Sequence, residues 1–243
     1  MLTKASAKFI KSLQLKKYRK QENLFLVEGT KSVLEVLESR YEVHELLATS
    51  EFIDHNLSAF TGKMTEASKK ELAKLGTFNT NDGALAVVKQ LPNSKFEVKG
   101  ELAIALDDIN DPGNLGTILR IADWYGIRKV IASENTVDLY NPKVIAASKG
   151  SFTRIDVFYT PLQAFLHSQD ELSFGAMMNG DNIHSMDLPK TGIIVLGNEA
   201  NGISPEVSEI LDHRITIPRF GTAESLNVAM ATAIICDNFK RKN

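Results

Sequence analysis

Strand-sized apolar runs recur through the second half of the chain and constrain its fold more than any other feature. They alternate with helix-like segments, and in order they are "LAIAL", "KVIAS", "RIDVF", "FGAMM", "GIIVLG" and "RITI". Short apolar runs joined by helices are typical of parallel sheets with helices on both faces. We therefore predict an α/β fold whose ligand site lies beyond the carboxyl ends of the strands.

The first half shows the same rhythm on a smaller scale. Strand-like "LFLV" and "VHELLA" flank a helix-like stretch, "GTKSVLEVLESR", and a further helix in "ASKKELAKLG" precedes the strand-like "ALAVVKQL". The stretch "PNSKFEVKG" has no periodicity and is rich in turn residues, which is typical of a linker. We predict a smaller α/β domain at 1–91, a linker at 92–100 and a larger domain at 101–243.

Composition excludes several classes of protein. With 43% hydrophobic and 24% charged residues, the chain is neither disordered nor fibrous. No apolar run approaches the roughly 18 residues of a membrane helix. The single cysteine, Cys236, and five scattered histidines offer neither a disulfide framework nor zinc-ligand spacing. We expect a reduced, cytoplasmic, metal-free protein, with Cys236, Trp124 and Tyr125 in its core.

The first twenty residues carry seven lysines and arginines and no acidic residue. A targeting presequence is disfavoured because the segment has one arginine and no cleavage-like site. On charge alone, the favoured interpretation is a solvated helix face above Phe9, Ile10 and Leu13. The alternative is a contact surface for a polyanion, since clustered positive charge attracts phosphates.

The stretch "DPGNLGTILRIADWYG" follows the strand "LAIAL" and is the first of three candidate loops. It lacks both the G-x-G-x-x-G spacing and the P-loop lysine, which weakens a nicotinamide or ATP interpretation. Asn114 and Arg120 remain as its candidate functional residues. Their spacing does not by itself make them face one point, and Asn114 could simply cap the helix.

The other two loops follow the strands "IIVL" and "RITI". In "LGNEANGIS", Gly197 and Gly202 permit close backbone approach and Glu199 supplies a carboxylate, although such residues are also common in turns. In "IPRFGTAESLNVAMATA", Ser225 and Asn227 open the last helix, where polar residues normally serve as caps. Because all three loops follow strands, they can converge on one sheet edge.

These three stretches, in this order, resemble the SpoU-type (TrmH-like) RNA ribose methyltransferases of the SPOUT class. They are similar to the family's N-x-G-x-x-x-R, G-x-E-x-x-G and S-L-N-V motifs, and the resemblance covers about residues 101–243. The stretch "LKKYRKQENLFLVEGTKSVLEVLES" is similar to the RNA-binding α/β domain often joined to this class. Departures are modest: the loop "RFGTAE" is less typical, and Ala229 stands where the family often has serine.

The resemblance implies a C-terminal trefoil knot, bound S-adenosylmethionine, an RNA partner and a homodimer. It implies catalytic-site roles for five residues: Asn114, Arg120, Glu199, Ser225 and Asn227. It implies cofactor contacts from six: Leu196, Gly197, Asn198, Gly202, Ile217 and Leu226. It implies RNA contacts from four residues of the lysine-rich start: Lys16, Lys17, Arg19 and Lys20.

Within this set, Arg120 would hold the phosphate beside the target nucleotide, since a guanidinium suits bidentate phosphate contact. Asn114 would arrange the arginine and the RNA, Ser225 and Asn227 would line the target-nucleotide side, and Glu199 would be structural. The general base is left open.

The implied activity is methyl transfer from S-adenosylmethionine to a ribose 2′-hydroxyl of RNA. The separate N-terminal domain favours ribosomal RNA as the substrate. The alternatives are a transfer RNA 2′-O-methyltransferase and a non-catalytic RNA-binding protein of the same fold. A base methyltransferase and an oxidoreductase fit the three motifs less well.

Overall fold

The computed structural model describes residues 2–57 and 60–241. The chain forms two compact units. The first unit comprises Met1–Pro92 and Asp138–Thr153, and the second comprises Asn93–Val137 and Arg154–Asn243. These units differ in two places from the division predicted from sequence, because 138–153 groups with the first unit and 93–100 with the second.

Strands and helices alternate through most of the described chain. The strands are β1 (Leu24–Glu28), β2 (Val43–Ala48), β3 (Met64–Glu66), β4 (Ala84–Lys89), β5 (Leu102–Leu106), β6 (Lys129–Ala132), β7 (Asp156–Tyr159), β8 (Ser173–Asn182), β9 (Gly192–Leu196) and β10 (His213–Thr216). The helices are α1 (Lys4–Ser12), α2 (Lys16–Glu22), α3 (Thr30–Leu37), α4 (Ser50–Asn56), α5 (Lys69–Leu75), α6 (Pro112–Trp124), α7 (Pro142–Ser148), α8 (Leu162–His167), α9 (Pro205–Ser208) and α10 (Val228–Arg241).

The first unit is built on a mixed four-stranded sheet in the order β1-β4-β2-β3. Strand β4 pairs antiparallel with β1 and β2, whereas β2 and β3 are parallel. Ile10 and Leu13 pack with the apolar side chains of β1, β4 and α5 in the core of this unit. The strands predicted in "LFLV", "VHELLA" and "ALAVVKQL" are all present.

The two ends of helix α5 are set by residues that are close together in the sequence. Its N-terminus is a capping box, in which Ser68 Oγ accepts from Glu71 N and the Glu71 side chain accepts from Ser68 N. The hydrogen bonds from Ser68 lower the pKa of the Glu71 carboxyl. The helix ends at Gly76, as the sequence predicts.

The second unit is built on six parallel strands in the order β10-β8-β9-β5-β6-β7. Every residue of the neighbouring strands β5 and β9 is buried. Since successive strand residues point to opposite faces, both faces of the sheet are covered at its centre. This architecture confirms the predicted α/β fold with a parallel sheet.

The segment 93–100 has no regular secondary structure, yet it is packed within the second unit. The ring of Phe96 lies 5.9 Å from that of Phe158 and 6.5 Å from that of Phe165. Val98 is buried, and its backbone N donates to Gln169 Oε1. The segment is therefore an ordered part of the second unit.

The three side chains expected in the core have different outcomes. Trp124 is the last residue of α6 and has 84% of its side chain exposed, so that expectation is wrong. Tyr125 beside it is half-buried. Cys236 is fully buried, as expected, and burial raises the pKa of its thiol to about 12.

Within 2–57 and 60–241, no helix is long and apolar enough to span a bilayer.

Candidate active site

The candidate site lies at the carboxyl edge of the parallel sheet in the second unit. Strands β5 and β9 pair in register, with Leu106 opposite Leu196. The first two candidate loops leave these two neighbouring strands, and the third follows β10. Loops at the carboxyl ends of adjacent parallel strands meet on the same side of the sheet.

A chain of side-chain hydrogen bonds joins one residue from each of the three loops. Asn114 Nδ2 donates to Glu199 Oε1 at 2.5 Å, and Asn227 Nδ2 donates to Asn114 Oδ1 at 3.0 Å. These contacts connect residues that are 85 and 113 positions apart in sequence. The structure therefore brings Asn114, Glu199 and Asn227 together.

The direction of these bonds follows from the chemistry of the three groups. An ionised carboxylate can only accept, so Glu199 must face the amide nitrogen of Asn114. The Asn114 oxygen then accepts from Asn227. A flipped Asn114 amide would place its oxygen against the carboxylate, which would break both contacts.

Helix ends supply two of these three side chains. The cap of α6 is Asp111, whose Oδ1 accepts from Asn114 N at 2.8 Å, so the Asn114 side chain is free of the capping role considered from sequence. At α10, Asn227 Oδ1 accepts from the backbone N of Ala229 and Met230. Asn227 therefore caps its helix, as predicted, while its Nδ2 holds Asn114.

The helix α10 itself begins at Val228 rather than at Ser225. It runs beside α6 in the same direction, because Asn114 and Asn227 meet at one end and Tyr125 and Asp237 approach at the other. Tyr125 Oη lies 3.5 Å from Asp237 Oδ1, and burial together with Asp237 raises the pKa of this phenol.

The loop after β9 is a tight turn closed on itself. The backbones of Asn198 and Gly202 exchange two hydrogen bonds of 2.9 and 2.8 Å. Gly202 has a φ of 69°, which favours glycine. A Cβ on Gly197 would lie 2.1 Å from the backbone carbon of Gly202, so this position admits no side chain without movement of the loop.

Two acidic residues directly after β5 hold this loop, and neither was predicted from the sequence. Asp107 is buried, and its Oδ2 accepts from Ser204 N at 2.7 Å. Asp108 has a φ of 57°, and its carbonyl accepts from Asn198 Nδ2 at 2.8 Å. The available signal was the pair of aspartates that ends the apolar run "LAIALDD".

Arg120 and Ser225 are both exposed and lie outside the hydrogen-bonded chain. In the described parts of the protein, neither side chain has a hydrogen-bond or ion-pair partner. Arg120 lies one helical turn before Trp124 on α6, so the two side chains share a face of that helix. The Arg120 guanidinium is available to a ligand.

The residues predicted to contact a cofactor differ in what they can offer. Leu196 is buried, and its carbonyl accepts from Asp107 N, so its role is to shape the edge. Ile217 is half-buried, whereas Leu226 keeps 52% of its side chain exposed between two polar residues. Among the described residues, no cluster of three or more His, Cys, Asp or Glu side chains could hold a metal.

In the first unit, one of the four predicted RNA contacts needs correction. Lys16, Lys17 and Lys20 are exposed on α2, but Arg19 is only 2% exposed. Its Nη2 lies 2.6 Å from Asp138 Oδ2, and its Nη1 donates to the carbonyls of residues 13 and 14. The Arg19 guanidinium is thus committed to the interior of its unit.

Comparisons with known proteins bear directly on these features. Residues 101–237 match the SpoU rRNA methylase family, and residues 4–86 match a domain described as MRM3-like substrate binding. The chain is 32% identical over 233 residues to the 23S rRNA (guanosine(2553)-2′-O)-methyltransferase of Bacillus subtilis. That alignment covers 93% of this chain and 92% of the relative.

Solved structures agree over the whole chain. A structure described as an RNA methyltransferase of the TrmH family from Porphyromonas gingivalis superposes with a TM-score of 0.90 at 35% identity, covering 100% of both chains. An AdoMet-bound rRNA methyltransferase from Sinorhizobium meliloti gives a TM-score of 0.89 at 27% identity, covering 100% of this chain and 96% of the other. The resemblance inferred from the three motifs is confirmed: the chain belongs to the SpoU rRNA methylase family.

Proposed function

We propose that this protein, an S-adenosylmethionine-dependent RNA ribose 2′-O-methyltransferase, modifies ribosomal RNA. The observation that carries the proposal is the hydrogen-bonded chain from Asn227 through Asn114 to Glu199, which ties the three motifs into one site. The name of the Bacillus subtilis relative, a 23S rRNA methyltransferase aligned over nearly the full chain, supports ribosomal RNA as the substrate.

The residues at the sheet edge fit S-adenosylmethionine. Leu226 is an exposed apolar side chain, and Ile217 is a half-buried one, which together suit contact with a purine ring. Nothing lies within 4 Å of a Cβ built on Gly202, so open space borders the turn. When bound, S-adenosylmethionine supplies a methyl group on a positively charged sulfur.

Arg120 anchors the RNA in this proposal. Its exposed guanidinium can make bidentate contact with the phosphate beside the target ribose. A guanidinium offers N–H donors and no acceptor, so we assign Arg120 to positioning rather than to proton removal. Ser225 and the Asn227 amide line the approach of the ribose, and Glu199 fixes Asn114.

The knot and the oligomeric state belong to the same proposal. We propose that the loops after β9 and β10 form the trefoil knot that the resemblance implies, and the contact of Asn227 with Asn114, 113 positions earlier in the chain, supports such a return of the chain. We also propose a homodimer. Apolar side chains exposed on α6 and α10, among them Trp124 and Met230, support a subunit contact.

The first unit would bind the RNA. The exposed lysines of α2, Lys16, Lys17 and Lys20, are placed to contact phosphates, whereas Arg19 is excluded because it is buried in an ion pair. The matched family description of residues 4–86 as a substrate-binding domain supports this role.

The test is transfer of radiolabelled methyl from S-adenosylmethionine to ribosomal particles, free ribosomal RNA and transfer RNA from a strain lacking the protein. We expect label in a 2′-O-methylnucleoside of ribosomal RNA. Arg120→Ala should lower the rate at least about tenfold, because it removes a charge-assisted hydrogen bond to the RNA phosphate. Arg128→Ala is the matched control, since Arg128 is also an exposed arginine of the second unit.

If label appears in transfer RNA alone, the substrate is transfer RNA rather than ribosomal RNA. If RNA binds and no label is transferred to any of the three, the protein is a non-catalytic RNA-binding member of the fold.

A further inference from the structure

An open cavity of about 620 Å³ lies beside α5 in the first unit, and none of its lining residues belongs to the proposed catalytic site. Three lysines of α5 line it: Lys69, Lys70 and Lys74. No carboxylate is found among the described residues that line the cavity. Lys69 lies 3.9 Å from the exposed Glu51, a separation at the limit of an ion pair, so the cavity keeps a positive charge.

The loop that follows α5 forms one wall of the cavity and is held by a buried carboxylate. Glu28 is 7% exposed. Its two oxygens accept from the backbone N and the hydroxyl of Thr77 at 2.8 to 3.0 Å, and from Phe78 N at 3.3 Å. A Cβ on Gly76 would lie 1.8 Å from Glu28 Oε2, so a larger residue there would displace the carboxylate from these contacts or move the loop.

A second brace comes from the lysine-rich start of the chain. Gln14 Nε2 donates to the carbonyls of Leu75 and Gly76, both at 2.9 Å. Gln14 precedes Lys16 by two residues, so the start of α2 lies near the end of α5.

This bracing leaves the side chains at the loop tip uncovered. Phe78 is 36% exposed, and Asn79 and Thr80 beside it are also exposed and line the cavity. An aromatic ring on a loop that is held by hydrogen bonds loses less conformational entropy when a ligand binds. The buried Glu28 thus holds the loop in the conformation that presents Phe78 to solvent.

We infer that Phe78, Lys70 and Lys74 bind an unpaired segment of the substrate RNA, with one base stacked on the Phe78 ring. Aromatic rings bordered by lysines are the usual means of binding single strands, because bases stack on the ring while ammonium groups contact phosphates. Paired RNA is disfavoured because its bases are already stacked within the helix. This inference rests on the proposed RNA substrate and assigns it a second binding site.

The test uses the full-length protein and a fluorescein-labelled ten-nucleotide oligouridylate, titrated at several salt concentrations. Phe78→Leu retains an apolar side chain and removes the ring, so we expect affinity to fall about fivefold or more. Its salt dependence should stay unchanged, because no charge is removed. Phe78→Tyr should restore the affinity.

The lysines have a different signature. In Lys70→Gln/Lys74→Gln, the slope of log affinity against log salt concentration should become shallower by about 0.7 for each phosphate that the protein no longer neutralises. The matched control is Lys99→Gln/Lys190→Gln, which removes the same charge from two exposed lysines of the second unit and should change affinity less than about twofold.

The inference is overturned if Phe78→Leu binds the oligonucleotide as tightly as wild type, or if the salt slope of the Lys70/Lys74 variant is unchanged. It is also overturned if poly-glutamate displaces the oligonucleotide at equal charge concentration, since the cavity would then be a site for acidic peptides. Methyl transfer by the wild type to ribosomal particles is measured separately. Its failure would contradict the proposed substrate and leave the oligonucleotide result to stand alone.

Discussion

At the scale of single residues, Asn227 uses one side-chain amide for two contacts. Its oxygen caps α10, and its nitrogen donates to Asn114. Asp caps helices about as well as Asn, so Asn227→Asp should change the free energy of unfolding by less than about 0.5 kcal/mol. The carboxylate of this variant cannot donate a hydrogen bond to Asn114 Oδ1. We therefore expect the rate of methyl transfer to fall at least about tenfold.

Thermal unfolding and the methyl-transfer rate, measured side by side, separate these two contributions. Asn238→Asp is the matched control, because Asn238 lies on the same helix and, among the described residues, its side chain donates to the Ile234 carbonyl alone. Activity of Asn227→Asp at the wild-type level would show that the contact with Asn114 has no part in the reaction.

Arg19 is the second position at which a single side chain has a large predicted effect. Arg19→Met removes the partner of Asp138 and leaves two backbone carbonyls without their donor. Because Asp138 is partly exposed, we expect stability to fall by about 2 to 3 kcal/mol, below the range for fully buried pairs.

Urea unfolding measures this decrease in stability. The neighbouring exposed residue provides the control, and Lys20→Met should change stability by less than about 0.5 kcal/mol. Equal stability of the two variants would mean that the Arg19 ion pair contributes nothing to the fold.

At the scale of elements, the turn after β9 depends on glycine at a defined point. Gly197→Ala places a methyl group against the backbone of Gly202 and Ile203, so the turn must move. Since the cofactor is proposed to bind there, we expect affinity for S-adenosylmethionine to fall at least about tenfold. Isothermal titration calorimetry measures this directly.

Gly221 supplies the control for that change. It lies in the loop before α10, and a Cβ built there meets nothing within 4 Å. Gly221→Ala should therefore bind S-adenosylmethionine as wild type does. If Gly197→Ala binds equally well, the turn after β9 is not part of the cofactor site.

At the scale of the whole molecule, the proposed homodimer makes a prediction about mass. Wild type should sediment as a dimer of the 26.8 kDa chain at micromolar concentration. Trp124→Glu puts a charge on the exposed end of α6 and should give a monomer, because a charge buried without a partner is costly.

The control at this scale is Met178→Glu, which changes another exposed apolar residue, on β8 rather than on α6 or α10. It should leave the dimer intact. A wild-type protein that sediments as a monomer would remove the homodimer from the proposal, while the methyl-transfer assay would still decide the reaction.

Patterns local to the chain were enough to predict most of the strands, the end of α5 at Gly76 and the parallel sheet. Apolar runs of strand length define β5 and β9, and the capping box of α5 lies within four consecutive residues. Resemblance in three short motifs was enough to identify the family. These features depend on neighbouring residues or on the order of motifs, and both can be read from the sequence without the fold.

The sequence by itself thus determined most of the strands and helices and the family to which the chain belongs. Only the tertiary structure decided which side chains meet: Asn114 with Glu199 and Asn227, and Arg19 with Asp138. It also decided that Trp124 faces solvent. The physical reason is that such contacts join residues far apart in the chain, and burial depends on what the rest of the fold places against each side chain.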